Sequence, residues 1–396
     1  MASTTANPLT VQFIATSLPV GGAETLLLNL VRRLDRERFS PEIVCLKEPG
    51  PLGELLAQEM PVHSQLIGSK FDVRVLWRLW RLMRNRKVDA VVTVAAGDNM
   101  FWGRLAAKLA GVPVVASALH STGWPDGVGK LNRALTPFTD AFIAVADGHA
   151  EFLADFEGFP QEKVTTIYNG VDTDRFAPRS ATKTRKQLGI DKNAAVVGIL
   201  AALRPEKNHE LFLHGAGAIL REVPDTHFLI IGDGPRRRDL EQLSFDLGIS
   251  KSVHFLGSRD DVPELLNACD MVSLTSHNEA SPVSILEALS SGKPVVAAEV
   301  GSVRETVVPD KTGNLFPAGD CQAYSAAVIE LLQDETRRLE MGQRGRRRVV
   351  KNWSLDGMTR GYEKLIERIY TAKRGRQLST MTIKKSRKAD LTTASS

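Results

Sequence analysis

The chain has 396 residues, too many for one ordinary hydrophobic core, so at least two domains are expected. A hydrophobic content of 43% suits a soluble α/β protein, and no apolar run approaches the roughly 20 residues that span a bilayer. Residues 373–396 carry a net of +6 (seven Lys and Arg against Asp390) out of the chain's +5, so residues 1–372 sum to −1 and a nucleic-acid partner is not expected.

Met1–Thr10 has neither charge nor a long apolar stretch, so a signal peptide is not expected. Val11–Ser17 reads as the first strand. Gly21-Gly22-Ala23-Glu24 follows it and opens a helix over Ala23–Leu34, with Leu26, Leu27, Leu30, Val31 and Leu34 on one face. Paired glycines let a backbone approach a ligand closely, and a helix start favours anionic oxygen, though a plain tight turn fits as well. Val73–Lys87 is a basic amphipathic segment, with Leu76, Leu79, Trp80 and Met83 as its apolar face. Such a helix can lie on an anionic membrane, but burial of that face in the first domain is favoured.

Ile43–Leu46, Ala90–Val94, Val114–Ala118, Phe142–Val145 and Thr165–Ile167 read as further strands, with His120 just past the end of one. Around Phe176–Asn193 the sequence turns polar, which places a first domain at 1–182 and a second at 183–354. Strands at Ala195–Leu200, Phe228–Ile231, Val253–Phe255, Met271–Leu274 and Val295–Ala298 repeat the rhythm. Alternating strands and helices imply two parallel sheets covered on both faces, hence an α/β fold of two Rossmann-like domains. Ligands then belong in the loops after the strands. Leu355–Tyr370 is the last helix, and residues 373–396, rich in Ser and Thr, read as a basic, disordered tail.

Residues 275–297 carry the most chemistry. Ser281-Pro282 reads as an N-cap followed by proline at the first helical position, and Gly292 as the helix end. Glu279 precedes that helix and Glu287 lies eight residues on, within it. Two carboxylates flanking free helix-start amides suit a ligand with both phosphates and sugar hydroxyls, that is, a nucleotide sugar. Gly232-Asp233-Gly234-Pro235 lacks the third glycine of a dinucleotide fingerprint, which argues against a dehydrogenase. Cys45, Cys269 and Cys321 are scattered, and the histidines show no pairing with carboxylates, so no zinc site or catalytic metal is expected.

From about Val11 to Tyr370 the chain resembles glycosyltransferase family 4, through the Glu279–Glu287 spacing, Ser284-Ile285-Leu286-Glu287-Ala288-Leu289 and Gly292-Lys293-Pro294-Val295-Val296. The resemblance implies a GT-B fold: two facing domains, a cleft between them, and a last helix (355–372) crossing back to the first. It implies a retaining, metal-independent hexosyltransferase that uses a UDP- or GDP-linked sugar and no cofactor. The acceptor would be a saccharide or a lipid-linked group, as in cell-envelope polysaccharide or glycolipid synthesis. Glu279 would face the donor sugar, and the amides of Ala280, Ser281, Val283 and Ser284 would hold its oxygens. Glu287 would bind the ribose and Lys207 the diphosphate, with Gly21 and Gly22 closing over it. His120 would contact the transferred sugar, and Gly232 would lie near the base. Glu305 matches a further family glutamate whose role is open.

At one position the chain departs from the pattern. Family members usually carry an arginine five residues before the lysine, where this chain has Ala202. A lost charge-assisted hydrogen bond costs about 1.5–3 kcal/mol, or roughly 10- to 150-fold in rate; Arg204 is the candidate substitute. Two other functions stay open, a nucleotide-sugar-binding protein with little catalysis and a sugar-nucleotide epimerase. The setting expected is cytoplasmic, with peripheral contact at the inner face of the plasma membrane through Val73–Lys87 or the tail. Gly97-Asp98-Asn99 and Ser121–Lys130 are expected to line the acceptor side.

Overall fold

The computed structural model describes residues 7–69, 72–120 and 129–393; most of the acceptor loop proposed at 121–130 lies outside them. Seven parallel strands form the first sheet: β1 (Leu9–Ala15), β2 (Phe39–Cys45), β3 (Val62–His63), β4 (Ala90–Val94), β5 (Val114–Ala118), β6 (Ala141–Ala144) and β7 (Val164–Thr166). Their order is β3-β2-β1-β4-β5-β6-β7. The second sheet holds β8 (Ala195–Leu200), β9 (Thr226–Ile231), β10 (Val253–Gly257), β11 (Met271–Leu274), β12 (Val295–Ala298) and β13 (Gly313–Phe316), ordered β10-β9-β8-β11-β12-β13 and also parallel. Helices cover both faces, so the central strands are buried on both sides and read as continuous apolar runs. This is the two-sheet α/β architecture of a GT-B fold. β3 and β13 escape the sequence, one having only two residues and the other opening on glycine.

In each sheet the strand order reverses at one place, between β1 and β4 in the first and between β8 and β11 in the second. Such switch points open a crevice at the carboxyl ends of the strands. The loops leaving β1, β8 and β11 there carry Gly21-Gly22, Lys207 and Glu279.

The last helix runs Leu355–Thr393 and returns to the first domain. Its Leu355, Met358, Tyr362, Leu365 and Ile366 are buried in one cluster with Phe13, Leu26, Leu27 and Leu30. Each such burial contributes about 1.5–3 kcal/mol, so packing fixes the start of this helix. The helix continues through the basic stretch expected to be disordered; that stretch has no proline and is rich in Lys and Arg, which tolerate a helix well. At the crossing, Val171 N–H donates to Trp353 O (2.9 Å) and Leu355 N–H to Val171 O (3.1 Å), so the two chain passages between domains lie side by side.

The basic amphipathic segment is a helix over Arg74–Arg86, turned slightly from the face read in the sequence. Val75, Leu79 and Met83, spaced by four, face the core, whereas Trp77 and Trp80 are 56% and 37% exposed. The Arg81 guanidinium lies over the Trp77 ring. No helix among the described residues is long and apolar enough to cross a membrane.

Candidate active site

The loops after β8 and β11 are stitched together by hydrogen bonds. Thr275 Oγ1 donates to the carbonyls of Lys207 and Asn208 (3.0 and 2.9 Å), and His277 N–H donates to Glu206 O (2.9 Å). This stitching sets the Lys207 ammonium against the Glu279 carboxylate, Nζ to Oε1 at 2.6 Å. Ser276 Oγ donates to the same oxygen at 2.7 Å. Lys207 and Glu279, 72 positions apart in sequence, are therefore one ion pair at the switch point.

Glu279 is also fixed from behind. Gly301, at φ +48°, lies so close that a Cβ there would overlap the Glu279 carbonyl oxygen, and Ser302 N–H reaches that oxygen at 3.4 Å. Gly232, at φ +137°, plays a similar part for the β8 loop, because a Cβ would overlap the Ala201 carbonyl. It buttresses the loop that carries Ala202 and Lys207.

The helix after Glu279 starts at Val283 and ends at Ser290. Its cap residue is Pro282, not Ser281: Pro282 has the helical φ of its ring but an extended ψ of 115°, and no side chain caps this end. The Ser281 carbonyl is held instead by Asn169 Nδ2 (3.0 Å), from the segment that closes the first domain. Ala280 is buried, while Val283 packs against the core cluster of the first domain. The uncapped, positive end of the helix thus faces the other domain. Glu287 follows Ser284 by one turn, on the same face. Burial pushes its carboxyl up to about 8, opposed only in part by Arg175.

On the opposite side, Gly21 caps the helix Gly22–Arg33 at the end of β1, and the position of a Cβ on Gly22 has no neighbour within 4 Å. Burial raises the pKa of Glu24 in that helix's first turn, and the Arg204 guanidinium opposes the rise from the second domain. Arg204 itself is 62% exposed and lies 4.0 Å from Glu206. His120 lines a small apolar pocket with Leu26, Leu27, Leu30, Met358 and Tyr362. Burial, helped by His149, pushes its imidazole down to about 4, so it is neutral at physiological pH. No group of three or more His, Cys, Asp and Glu able to hold a metal ion occurs among the described residues.

Residues 20–175 match the family described as Glycosyltransferase Family 4, and residues 180–348 match Glycosyl transferases group 1. A GDP-mannose-dependent alpha-(1-6)-phosphatidylinositol monomannoside mannosyltransferase of Mycobacterium tuberculosis is 30% identical over 75% of this chain and 79% of its own length. The chain belongs to glycosyltransferase family 4. This glycosyltransferase is also 28% identical, over 85% of its length and 91% of the relative's, to an Escherichia coli UDP-Gal:alpha-D-GlcNAc-diphosphoundecaprenol alpha-1,3-galactosyltransferase. The crystal structure of Anabaena HepE in complex with UDP shares its fold, with a TM-score of 0.78 at 23% identity over 91% of this chain and all of HepE.

Sequence reasoning missed the parts of this glycosyltransferase that position others: Ser276 and Gly301 around Glu279, Thr275 behind Lys207, and Asn169 on Ser281. A glycine two or three residues past a strand end, as Gly301 stands after Ala298, was the available signal.

Proposed function

We propose that this glycosyltransferase moves a sugar, with retention of configuration, from a UDP- or GDP-linked donor to a hydroxyl of a lipid-linked saccharide. The observation that carries the proposal is the Lys207–Glu279 pair beside the uncapped start of the helix Val283–Ser290. A diphosphate entering this corner replaces Glu279 as the partner of the ammonium. Glu279 is then released toward the donor sugar, where its oxygens can accept hydroxyl protons. The amides of Ala280, Ser281, Val283 and Ser284 take the remaining phosphate and sugar oxygens, and Arg204, exposed and, among the described residues, held only by Glu206 at 4.0 Å, supplies the second cation that Ala202 does not. Glu287 accepts from the ribose hydroxyls, and neutral His120 orients the sugar from the other domain.

In the transfer, the bond from the anomeric carbon to the phosphate oxygen breaks and the acceptor oxygen bonds to the same face. The acceptor proton passes to the leaving phosphate oxygen. Lys207 stabilises the charge that develops there, so no metal is required. A lipid-linked acceptor is supported by the exposed Trp77 and Trp80 beside arginines on Arg74–Arg86, a surface suited to an anionic bilayer, and by the lipid-linked acceptors named for both relatives.

Incubating UDP- and GDP-linked sugars with free and lipid-linked saccharides in anionic vesicles tests this. Transfer is expected with vesicle acceptors, in the presence of chelator, with the donor's anomeric configuration kept by NMR. An inverted product sinks the retaining mechanism, and conversion of donor without acceptor points to an epimerase.

Glu287 adds a pH signature. Its folded pKa lies above the reference value of 4.5, so the folded state holds an extra proton between about 4.5 and 8. Stability of the free protein therefore falls as pH rises through that window and levels off above it. Ribose hydroxyls donate best to the ionised carboxylate, so nucleotide affinity is expected to rise several-fold, to about fivefold, from pH 6 to 9. Calorimetric titration with UDP and GDP checks this against Glu287→Gln. An equal rise in the variant removes Glu287 from the ribose site.

A further inference from the structure

The carboxylate of Glu305 leaves the second domain and touches the first. Oε1 accepts the backbone N–H of Gly148 at 2.7 Å, and Oε2 accepts that of Asp147 at 3.1 Å. These amides open the helix Asp147–Asp155, whose own cap residue, Ala146, offers no side-chain acceptor. Helix-start N–H groups lack intrahelical partners and lie at the positive end of the dipole. A carboxylate from the opposite domain is therefore the cap of this helix. The fit is close: a Cβ on Gly148 would stand 3.2 Å from Glu305 Oε1 and 3.3 Å from Ser302 Oγ.

Both ends of this contact lead to the site. On the donor side, Glu305 sits in the short helix Val303–Thr306, directly after the Gly301-Ser302 backbone that rests on the Glu279 carbonyl. Arg348 Nη2 holds the Glu305 carbonyl at 3.0 Å. On the other side, the capped helix carries His149, which is fully buried and whose Nδ1 accepts the Val145 N–H at 3.3 Å. Leu153 of the same helix shares a buried cluster with Leu119, the residue next to His120. One run of contacts leads from Glu279 to the neighbour of His120, and Glu305 is its crossing point.

We infer that Glu305 is a positioning residue: by capping the helix Asp147–Asp155 across the cleft, it sets the register of His120 against the donor carboxylate Glu279. This rests on the roles given above to those two residues. The side chains proposed to hold the donor's diphosphate and ribose, Lys207, Arg204 and Glu287, all belong to the second domain. Loss of the latch is therefore a defect of turnover and not of donor affinity.

The test uses the full chain with Glu305→Ala, Glu305→Gln and, independently, Gly148→Ala, which crowds the carboxylate without removing it. The expected result is a kcat lowered about 10- to 100-fold in Glu305→Ala, with smaller losses in the other two. UDP or GDP affinity stays within about twofold, and amide hydrogen exchange at residues 147–150 quickens. Normal kcat in Glu305→Ala overturns the inference, as does faster exchange with kcat unchanged, which would make Glu305 a structural cap only. A donor affinity that collapses together with kcat also overturns it, by making Glu305 a support of the donor pocket. His120→Ala separates the two layers: if that variant turns over normally, the assignment of His120 fails, and the exchange and Gly148→Ala data still report on the latch.

Discussion

Replacing Lys207 by alanine is expected to lower kcat/KM by about 10²- to 10³-fold while the protein stays folded. The ammonium is paired with Glu279 at 2.6 Å in the free protein, and in the proposed mechanism its partner during transfer is the leaving diphosphate. Charge on the phosphate grows as the glycosidic bond breaks, so the second interaction is stronger in the transition state than in the ground state, which is the condition for a loss in kcat. The cost to stability is small. Glu279 keeps its Ser276 hydrogen bond, and a loss of about 1–2 kcal/mol moves Tm by only about 1–3 °C in a chain of this size. Lys207→Arg keeps the charge in a planar head of different reach and is expected to fall between wild type and alanine. Arg204→Ala, removing the more exposed cation, is expected to cost about tenfold. Steady-state transfer kinetics with thermal melting reads all three. Near-normal transfer by Lys207→Ala would remove the ion pair from the reaction.

Gly301→Ala is expected to damage both stability and catalysis, although residue 301 touches no substrate in the proposed site. The added methyl meets the Glu279 carbonyl oxygen, and the left-handed φ adds its own penalty of about 1 kcal/mol. The backbone of one loop must move away from the other. A displacement on the order of 1 Å at a reacting group costs about 10²-fold in rate. Gly319→Ala is the control: its φ of +83° carries the same backbone penalty, but no atom lies within 4 Å of the added carbon. Melting and turnover of the two variants separate collision from conformation. If both lose activity equally, Gly301 does not hold Glu279 in place.

These two variants also show where the sequence was legible. Strands such as Met271–Leu274 and Val295–Ala298 announce themselves because both faces are buried, leaving runs of apolar residues with few polar interruptions. The Glu279–Glu287 spacing is local to one loop and one helix, so it could be read directly. The Lys207–Glu279 pair could not, because it depends on β8 and β11 being neighbours across 72 residues of chain. Gly301 and Glu305 are hidden for the same reason: their partners are a carbonyl oxygen and two amides, groups that every residue carries. The Ser281 cap failed on a different account. Serine before proline favours a helix start, but Asn169 from the other domain pins the Ser281 carbonyl, and Pro282 stays extended. The tail was read from its charge and its Ser and Thr content, whereas its lack of proline allows the preceding helix to continue.

The returning helix has a consequence for the order of synthesis. Leu355, Met358, Tyr362, Leu365 and Ile366 belong to the interior of the first domain, yet they are made only after the whole second domain. The first domain therefore emerges with a strip of its interior uncovered, and it stays so while the entire second domain is made. Its completion and the closing of the two-passage hinge at Val171 and Ser354 are one event. The cleft comes into existence only after the whole second domain has been made, with both of its walls already bound to each other.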